Sequence, residues 1–239
     1  MEWAHLLKET INIAWGAVPL MWYSQLDGRS QRSLPVAIRE NQEAMRAYAS
    51  LGVPLEVNES HQWSLRDAPD SVAAATFYLA AYNAKKAGAR YYIAQYMLNT
   101  PPGISPQADL AKMLAKAELV KELEGESFTV FTQTRGGLAH FSVDLNVAKG
   151  QLGASTFLGL FLQPQIIHVV GFCEADHLAH PEEVIESAQI VEGVIKDALF
   201  GLPQVQNDPV ILENKERIKR EAKLILEAIK RIGKEEEDP

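Results

Sequence analysis

Apolar and polar positions along the chain follow two periods that alternate. Five short runs of strand-forming residues, Ala17–Tyr23, Val53–Val57, Arg90–Tyr96, Phe128–Gln133 and Ile166–Phe172, begin 36 to 38 residues apart. Between them the period lengthens to that of a helix. Leu110, Met113, Leu114, Ala117, Val120 and Leu123 mark one face, with Lys112, Lys116 and Lys121 at polar positions. Ser105-Pro106 and His180-Pro181-Glu182-Glu183 read as helix entries, and Gly52 and Gly88 as left-handed terminators just before the next strand. Strict alternation of strand and helix predicts an α/β fold with a parallel sheet covered by helices.

The repeat length is that of one βα unit in a (β/α) barrel, which closes with about eight strands. Five units are too few for closure. Either the sheet is open and doubly wound, or the chain is part of a barrel that another polypeptide completes. A helix over Glu2–Trp15, ahead of the first strand, favours the second option, because it reads as the crossover of a unit whose strand is missing. The expected architecture is a partial TIM-type barrel of about five βα units over residues 1–202. Residues 203–239 form a C-terminal helical extension with an acidic tail. There Leu202–Pro209 is a polar turn, and Ile211–Ile232 is one long helix with a narrow stripe of Ile218, Ala222, Ile225, Ile229 and Ile232.

Charge and composition narrow the partners. The formal net charge of −8 argues against a broad affinity for nucleic acid or anionic membrane, and the excess acid gathers at Glu235, Glu236, Glu237 and Asp238. The single cysteine, Cys173, excludes an internal disulfide and points to a reducing compartment. No apolar run approaches the roughly 18 to 20 residues that span a bilayer. Glu2, His5, Lys8 and Glu9 interrupt any signal peptide, so a cytoplasmic location is expected. The histidines show no zinc-type pairing.

Candidate chemistry gathers where strands end. Val53–Asp67 reads V-P-L-E-V-N-E-S-H-Q-W-S-L-R-D, placing Asn58, Glu59, Ser60 and His61 directly after a strand. In parallel sheets ligands collect at such carboxyl ends. The other strand ends carry Tyr23 with Asp27, Arg29, Ser30 and Arg32; Asn99 with Pro101 and Pro102; Arg135 with two glycines; and Cys173, Glu174, Asp176 and His177. Arg29 and Ser30 read either as a turn with a helix cap or as holders of an anionic group. His61 is either a satisfied loop histidine or a catalytic one that donates to a ring oxygen or moves a proton near pH 7. Tyr23 is core or a stacking platform, and Arg135 suits a carboxylate. Glu174 is a solvated acid or the partner of an ammonium group. Cys173 reads as a packed small residue.

Dinucleotide, Walker and nucleophile-elbow motifs are absent. No lysine sits at a strand end, Lys149 falls on a helix, and Lys85, Lys86 and Lys112 read as surface residues, so no Schiff-base lysine is visible.

Several strings carry a family resemblance. V-P-L-E-V-N-E-S-H-Q-W-S-L-R-D, Y-L-A-A-Y-N-A-K-K-A-G, Q-Y-M-L-N-T-P-P-G-I-S-P, D-L-A-K-M-L-A-K, D-L-N-V-A-K-G-Q-L and H-V-V-G-F-C-E-A-D-H resemble the barrel of the large component of D-ornithine 4,5-aminomutase. The chain is more weakly similar to the α subunit of lysine 5,6-aminomutase. The resemblance covers roughly Pro19 to Leu202. It implies pyridoxal phosphate and adenosylcobalamin as cofactors and a radical shift of a terminal amino group to the adjacent carbon. It also implies that a Rossmann-like partner module carries cobalamin and the lysine that holds the pyridoxal. By the same resemblance Tyr23 stacks on the pyridine ring and His61 bonds its phenolic oxygen. Arg135 then takes the substrate carboxylate, Glu174 its amine, and Arg29 and Ser30 the phosphate, with Asn58 in support.

The departures are equally definite. The chain begins about three βα units into the family barrel and lacks the Asp-x-His-x-x-Gly cobalamin signature. The resemblance therefore implies a component that is inactive alone. Two other readings are a non-catalytic docking subunit of such a complex and a stand-alone doubly wound enzyme using Arg135 and His61 on a small acid.

Overall fold

The computed structural model describes residues 2–233, so the acidic residues Glu235–Asp238 lie outside the described part. Five strands form one sheet: β1 (Gly16–Val18), β2 (Leu55–Val57), β3 (Tyr91–Leu98), β4 (Thr129–Gly136) and β5 (Ile166–Ile167). Every neighbouring pair is parallel and the spatial order is 1-2-3-4-5. A doubly wound sheet reverses its strand order at a switch point, and this one never does. The doubly wound alternative is therefore overturned: the sheet is singly wound.

The helices are α1 (Glu2–Ile11), α2 (Leu34–Ser50), α3 (Ser60–Ser64), α4 (Asp70–Lys86), α5 (Pro106–Lys121), α6 (Leu145–Leu160), α7 (Pro181–Ala198) and α8 (Pro209–Ile232). Their starts and stops follow local chemistry. Ser105 Oγ accepts from Ala108 N at 3.2 Å to cap α5, and Asp144 accepts from Asn146 N and Val147 N at α6. Gly52 and Gly88 turn left-handed at φ 66° and 92°, as their positions predicted. A Cβ at Gly137 would fall 2.3 Å from Thr100 Oγ1, so only glycine lets the end of β4 lie against the end of β3.

One face of the sheet is covered by helices. In β3 the alternate residues Tyr92, Ala94, Tyr96 and Leu98 are at most 2% exposed and join the main core. Helix α4 supplies Ala80, Ala81 and Ala84 to that core, and Ala74 and Ala75 to a second cluster on its far side. Such small residues let α4 lie close both to the sheet and to α8. The long helix thus packs on α4 and α5 through Ile218, Ala222 and Leu226, with Ile232 left exposed. Lys215 and Lys219 reach Glu118, and Lys223 reaches Glu122, tying α8 to α5.

The opposite face is unlike this one. Tyr91, Gln95, Met97, Phe131 and Arg135 point there and are only half-buried. Several boundaries also differ from expectation. Strand one ends at Val18, because Pro19 lacks the N–H needed to extend the ladder, and Tyr23 lies in a loop at φ 60°. Helix α1 stops at Ile11 where it was expected to reach Trp15, and His61 sits in the short helix α3 and not in a loop. Strand five is cut to Ile166–Ile167, and Glu174 falls in a 3-10 turn over Phe172–Ala175.

Lys112 and Lys116 are buried and not surface residues. The Nζ of Lys112 donates to Thr100 O at 2.5 Å and lies 3.4 Å from Asp70 and 3.6 Å from Asp109. Asp109 in turn accepts from Asn99 N at 2.5 Å. These contacts fix the loop after β3 through a buried ionic cluster.

Candidate functional site

A cleft of about 220 Å³ opens at the carboxyl ends of β1 and β2, lined by Ala17, Pro19, Trp22, Tyr23, Asn58, His61 and Gln62 among others. Three of the sequence-derived candidates, Tyr23, Asn58 and His61, therefore share one wall. Glu59 holds the two halves of that wall together. Its Oε2 accepts from Leu20 N and Met21 N, both at 3.1 Å, and its Oε1 from Trp63 Nε1 at 3.2 Å. Its carbonyl accepts from Trp22 Nε1 at 3.2 Å. The carboxyl is wholly buried, and desolvation pushes its pKa up to about 7. Glu59 thus clamps the loop that carries Tyr23. Ser60 Oγ donates to Ala73 O at 2.7 Å and ties α3 to α4.

His61 is held neutral. Burial first, then the positive charges of Lys116 and Arg135, push its pKa down to about 3. Its tautomer follows from its neighbours. Arg66 Nη1 donates to Gln62 Oε1 at 3.2 Å, which turns the amide nitrogen of Gln62 toward His61 Nε2 at 3.1 Å. That nitrogen donates, so Nε2 accepts and the ring proton sits on Nδ1. The imidazole is then a neutral donor. Beside it Asn58 Oδ1 is buried without a partner, an acceptor left over in the cleft wall.

Tyr23 is 50% exposed, and one face of its ring is already covered by the Arg29 guanidinium at 3.9 Å. Arg29 also pairs with Asp27. Burial would raise the Asp27 pKa, but that pair and the N–H groups of Tyr23, Ser24 and Arg29 bring it down to about 2. Ser30 Oγ accepts from Arg32 N and Nε, both at 3.2 Å. Neither Arg29 nor Ser30 lines the cleft. Both are engaged in a tight turn, the plainer of the two readings.

Arg135 stands on β4, facing the same side of the sheet as Gln95. Burial pulls its pKa below the usual range, while the charges of Glu174 and Glu56 oppose that. Arg135 and Glu174 thus sense one another without forming an ion pair; Glu174 Oε1 instead accepts from Gly171 N at 3.0 Å.

The sequence reading missed a polar chain across this face. Trp15 Nε1 donates to Glu56 Oε2 at 2.7 Å, and Gln95 Nε2 lies 2.8 Å from both Glu56 Oε1 and Gln133 Oε1. Glu56 is buried, which raises its pKa against the hydrogen bonds of Asn58 and Trp15. The signal was a carboxylate or carboxamide inside each of three strands, at Glu56, Gln95 and Gln133. Lys116 was also missed as a site neighbour. It is buried over the Phe77 ring at 5.6 Å, and burial, with the charge of Lys112, lowers its pKa to about 7.

Among the described residues no helix is long and apolar enough to cross a membrane. No protein-family model matches the chain, and no curated protein matches it.

Proposed function

We propose that this chain is the partial-barrel component of an aminomutase dependent on pyridoxal phosphate and adenosylcobalamin, supplying one wall of the pyridoxal and substrate site. The observation that carries the reading is the convergence of Tyr23, Asn58 and His61 on one cleft, with Asn58 Oδ1 buried and unpartnered in its wall. A neutral histidine with its proton on Nδ1 and an amide oxygen without a partner fit the polar rim of a pyridine ring.

The sequential parallel order supports a barrel segment, since a closed (β/α) barrel keeps its strands in chain order. The cleft, at about 220 Å³, is smaller than the roughly 300–1,000 Å³ of complete ligand sites. Its missing walls are assigned to further strands and to a cobalamin-binding Rossmann-like partner.

Pyridoxal phosphate, when bound, supplies an electron-delocalising ring that activates the substrate amine, and adenosylcobalamin supplies the radical. The residues of this chain orient and exclude. His61 donates from Nδ1 to the ring oxygen, and the exposed face of Tyr23 stacks on the ring. Arg135 pairs with the substrate carboxylate, and Glu174 takes its terminal ammonium, consistent with a basic amino acid of the D-ornithine or lysine type. Location in the cytoplasm belongs to the same proposal.

Co-expression with a cobalamin-module chain and a barrel-completing chain tests it: the expected result is a stable complex that retains pyridoxal phosphate through gel filtration. Absence of both association and retention overturns the proposal. A second reading, a docking subunit without chemistry, draws on the half-buried face of β3 and β4 and on the short edge strands β1 and β5. Association without pyridoxal retention would favour it.

A further inference from the structure

The turn that joins β5 to α7 gathers donors that the proposed function does not use. Ligand atoms of Cys173, His177 and Glu183 all lie within 4.8 Å of one another. Two backbone bonds fold the turn back on itself: Cys173 O accepts from Asp176 N at 2.8 Å and from His177 N at 2.9 Å. The first turn of α7 aims the carboxylate, because Glu183 Oε2 accepts from His180 N at 2.8 Å. That leaves Oε1 facing His177 Nε2 at 2.6 Å.

The other ring nitrogen, Nδ1, faces Asp176 Oδ2 at 2.8 Å. Carboxylates only accept, so both ring nitrogens must carry protons, or a cation must replace one of them. An imidazole whose far nitrogen donates to a carboxylate is the usual outer arrangement of a metal-bound histidine.

We infer that Cys173 Sγ, His177 Nε2 and Glu183 Oε1 form a site for a divalent transition metal of the zinc class. One sulfur, one nitrogen and one oxygen donor suit a borderline-soft ion and not magnesium or calcium, which prefer all-oxygen shells. The fourth position falls to water or to His180, whose ring centroid lies 6.2 Å from that of His177. Binding breaks the S–H bond of Cys173 and the Nε2–H bond of the imidazolium, and both protons pass to solvent. The ion would then staple the 3-10 turn to α7, beside Glu174. The C-x₃-H-x₅-E spacing differs from the familiar zinc patterns, which is why the sequence did not show it.

Cobalt(II), titrated without oxygen into the chelator-treated full chain, is the probe. The expected result is about one equivalent bound, with a near-ultraviolet thiolate charge-transfer band that zinc(II) abolishes. Cys173→Ser should remove the band, and His177→Ala should weaken binding by at least about 100-fold. Asp176→Asn, the milder variant if His177→Ala does not fold by circular dichroism, should weaken it about 10- to 100-fold. No thiolate band, or the same band and affinity in the Cys173→Ser and Asp176→Asn variants, overturns the inference. Pyridoxal phosphate is left out, so the outcome does not depend on the proposed function.

Discussion

The two faces of one strand carry opposite chemistry. On the helix side of β3, Tyr92, Ala94, Tyr96 and Leu98 are packed into the main core. On the other side Tyr91, Gln95 and Met97 are half-buried, and Ile93, though covered, joins none of the hydrophobic clusters. The first face is finished by α4, α5 and α6. The second holds a buried carboxylate, two glutamines and an arginine in a row. Apolar side chains left half-covered next to a buried acid add nothing to stability. The difference teaches that helices cover one face of β3 and β4 and leave the polar row of the other half-exposed, which is the face the proposed function assigns to recognition.

The largest expected effect tests that division directly. Leu98→Ala on the packed face should cost about 2–5 kcal/mol in denaturant unfolding of the lone chain. Met97→Ala, one residue away on the open face, should cost less than about 1 kcal/mol. Equal losses would break the comparison.

Next in size is the clamp. Glu59→Leu removes the acceptor of Leu20 N, Met21 N and Trp63 Nε1. A loss of about 3 kcal/mol is expected, since each orphaned buried donor costs about 1–3 kcal/mol. A loss below about 1 kcal/mol by the same unfolding measurement would show that the loop bearing Tyr23 is held by something else.

Glu59 and His61 should also give opposed pH dependences. The Glu59 pKa is raised to about 7 from 4.5, so the folded state binds more protons there, and its contribution to stability falls as pH rises from 4.5 to 7. The His61 pKa is lowered to about 3 from 6.5, so its contribution is whole above pH 6.5 and is lost as pH falls toward 3. Between pH 4.5 and 6.5 the two slopes oppose one another, each limited to about 1.4 kcal/mol per pH unit. Relative to wild type, Glu59→Gln should gain stability with rising pH across that window, and His61→Gln should lose it. Unfolding curves at three pH values decide this, and parallel shifts in the two variants would refute the assignment.

The smallest effect is at Lys116, which forms no ion pair among the described residues. Lys116→Met keeps the volume and removes the buried amine, so stability should change by less than about 1.5 kcal/mol. The same change should raise the His61 pKa, read by proton NMR of the ring, because one of its positive neighbours is gone. An unmoved His61 pKa would separate Lys116 from the site.

Much of this was legible in the sequence, for physical reasons. The evenly spaced apolar runs placed all five strands, and the long ones, β3 and β4, came out within a few residues because both their neighbours pair. The edge strands β1 and β5 are shorter than their apolar composition suggested, since residues with one paired side and a proline or a turn beside them leave the ladder. His61, Asn58 and Tyr23 line one cleft because loops after adjacent parallel strands are neighbours. Arg29 read equally as part of a turn or as the holder of an anion, and its pairing with Asp27, two residues earlier, shows the turn. Lys112 and Lys116 looked solvated because a helical wheel does not show that α4 and α8 cover both flanks of α5. The stripe Asp109–Lys112–Lys116 was the available clue, an acid in line with two bases. The clamp at Glu59 depends on contacts 38 and 39 residues away, which local pattern does not encode.

The most direct test of the central claim is the pyridoxal phosphate affinity of the chain purified with its partners, measured for wild type and three variants. His61→Ala and Asn58→Ala should each weaken binding about tenfold or more, as expected for loss of one hydrogen bond to a charged ligand. Arg29→Ala, whose guanidinium serves Asp27 and lies outside the cleft wall, should leave it within about threefold. Affinity that ignores His61 and Asn58, or that falls only with Arg29, would contradict the account.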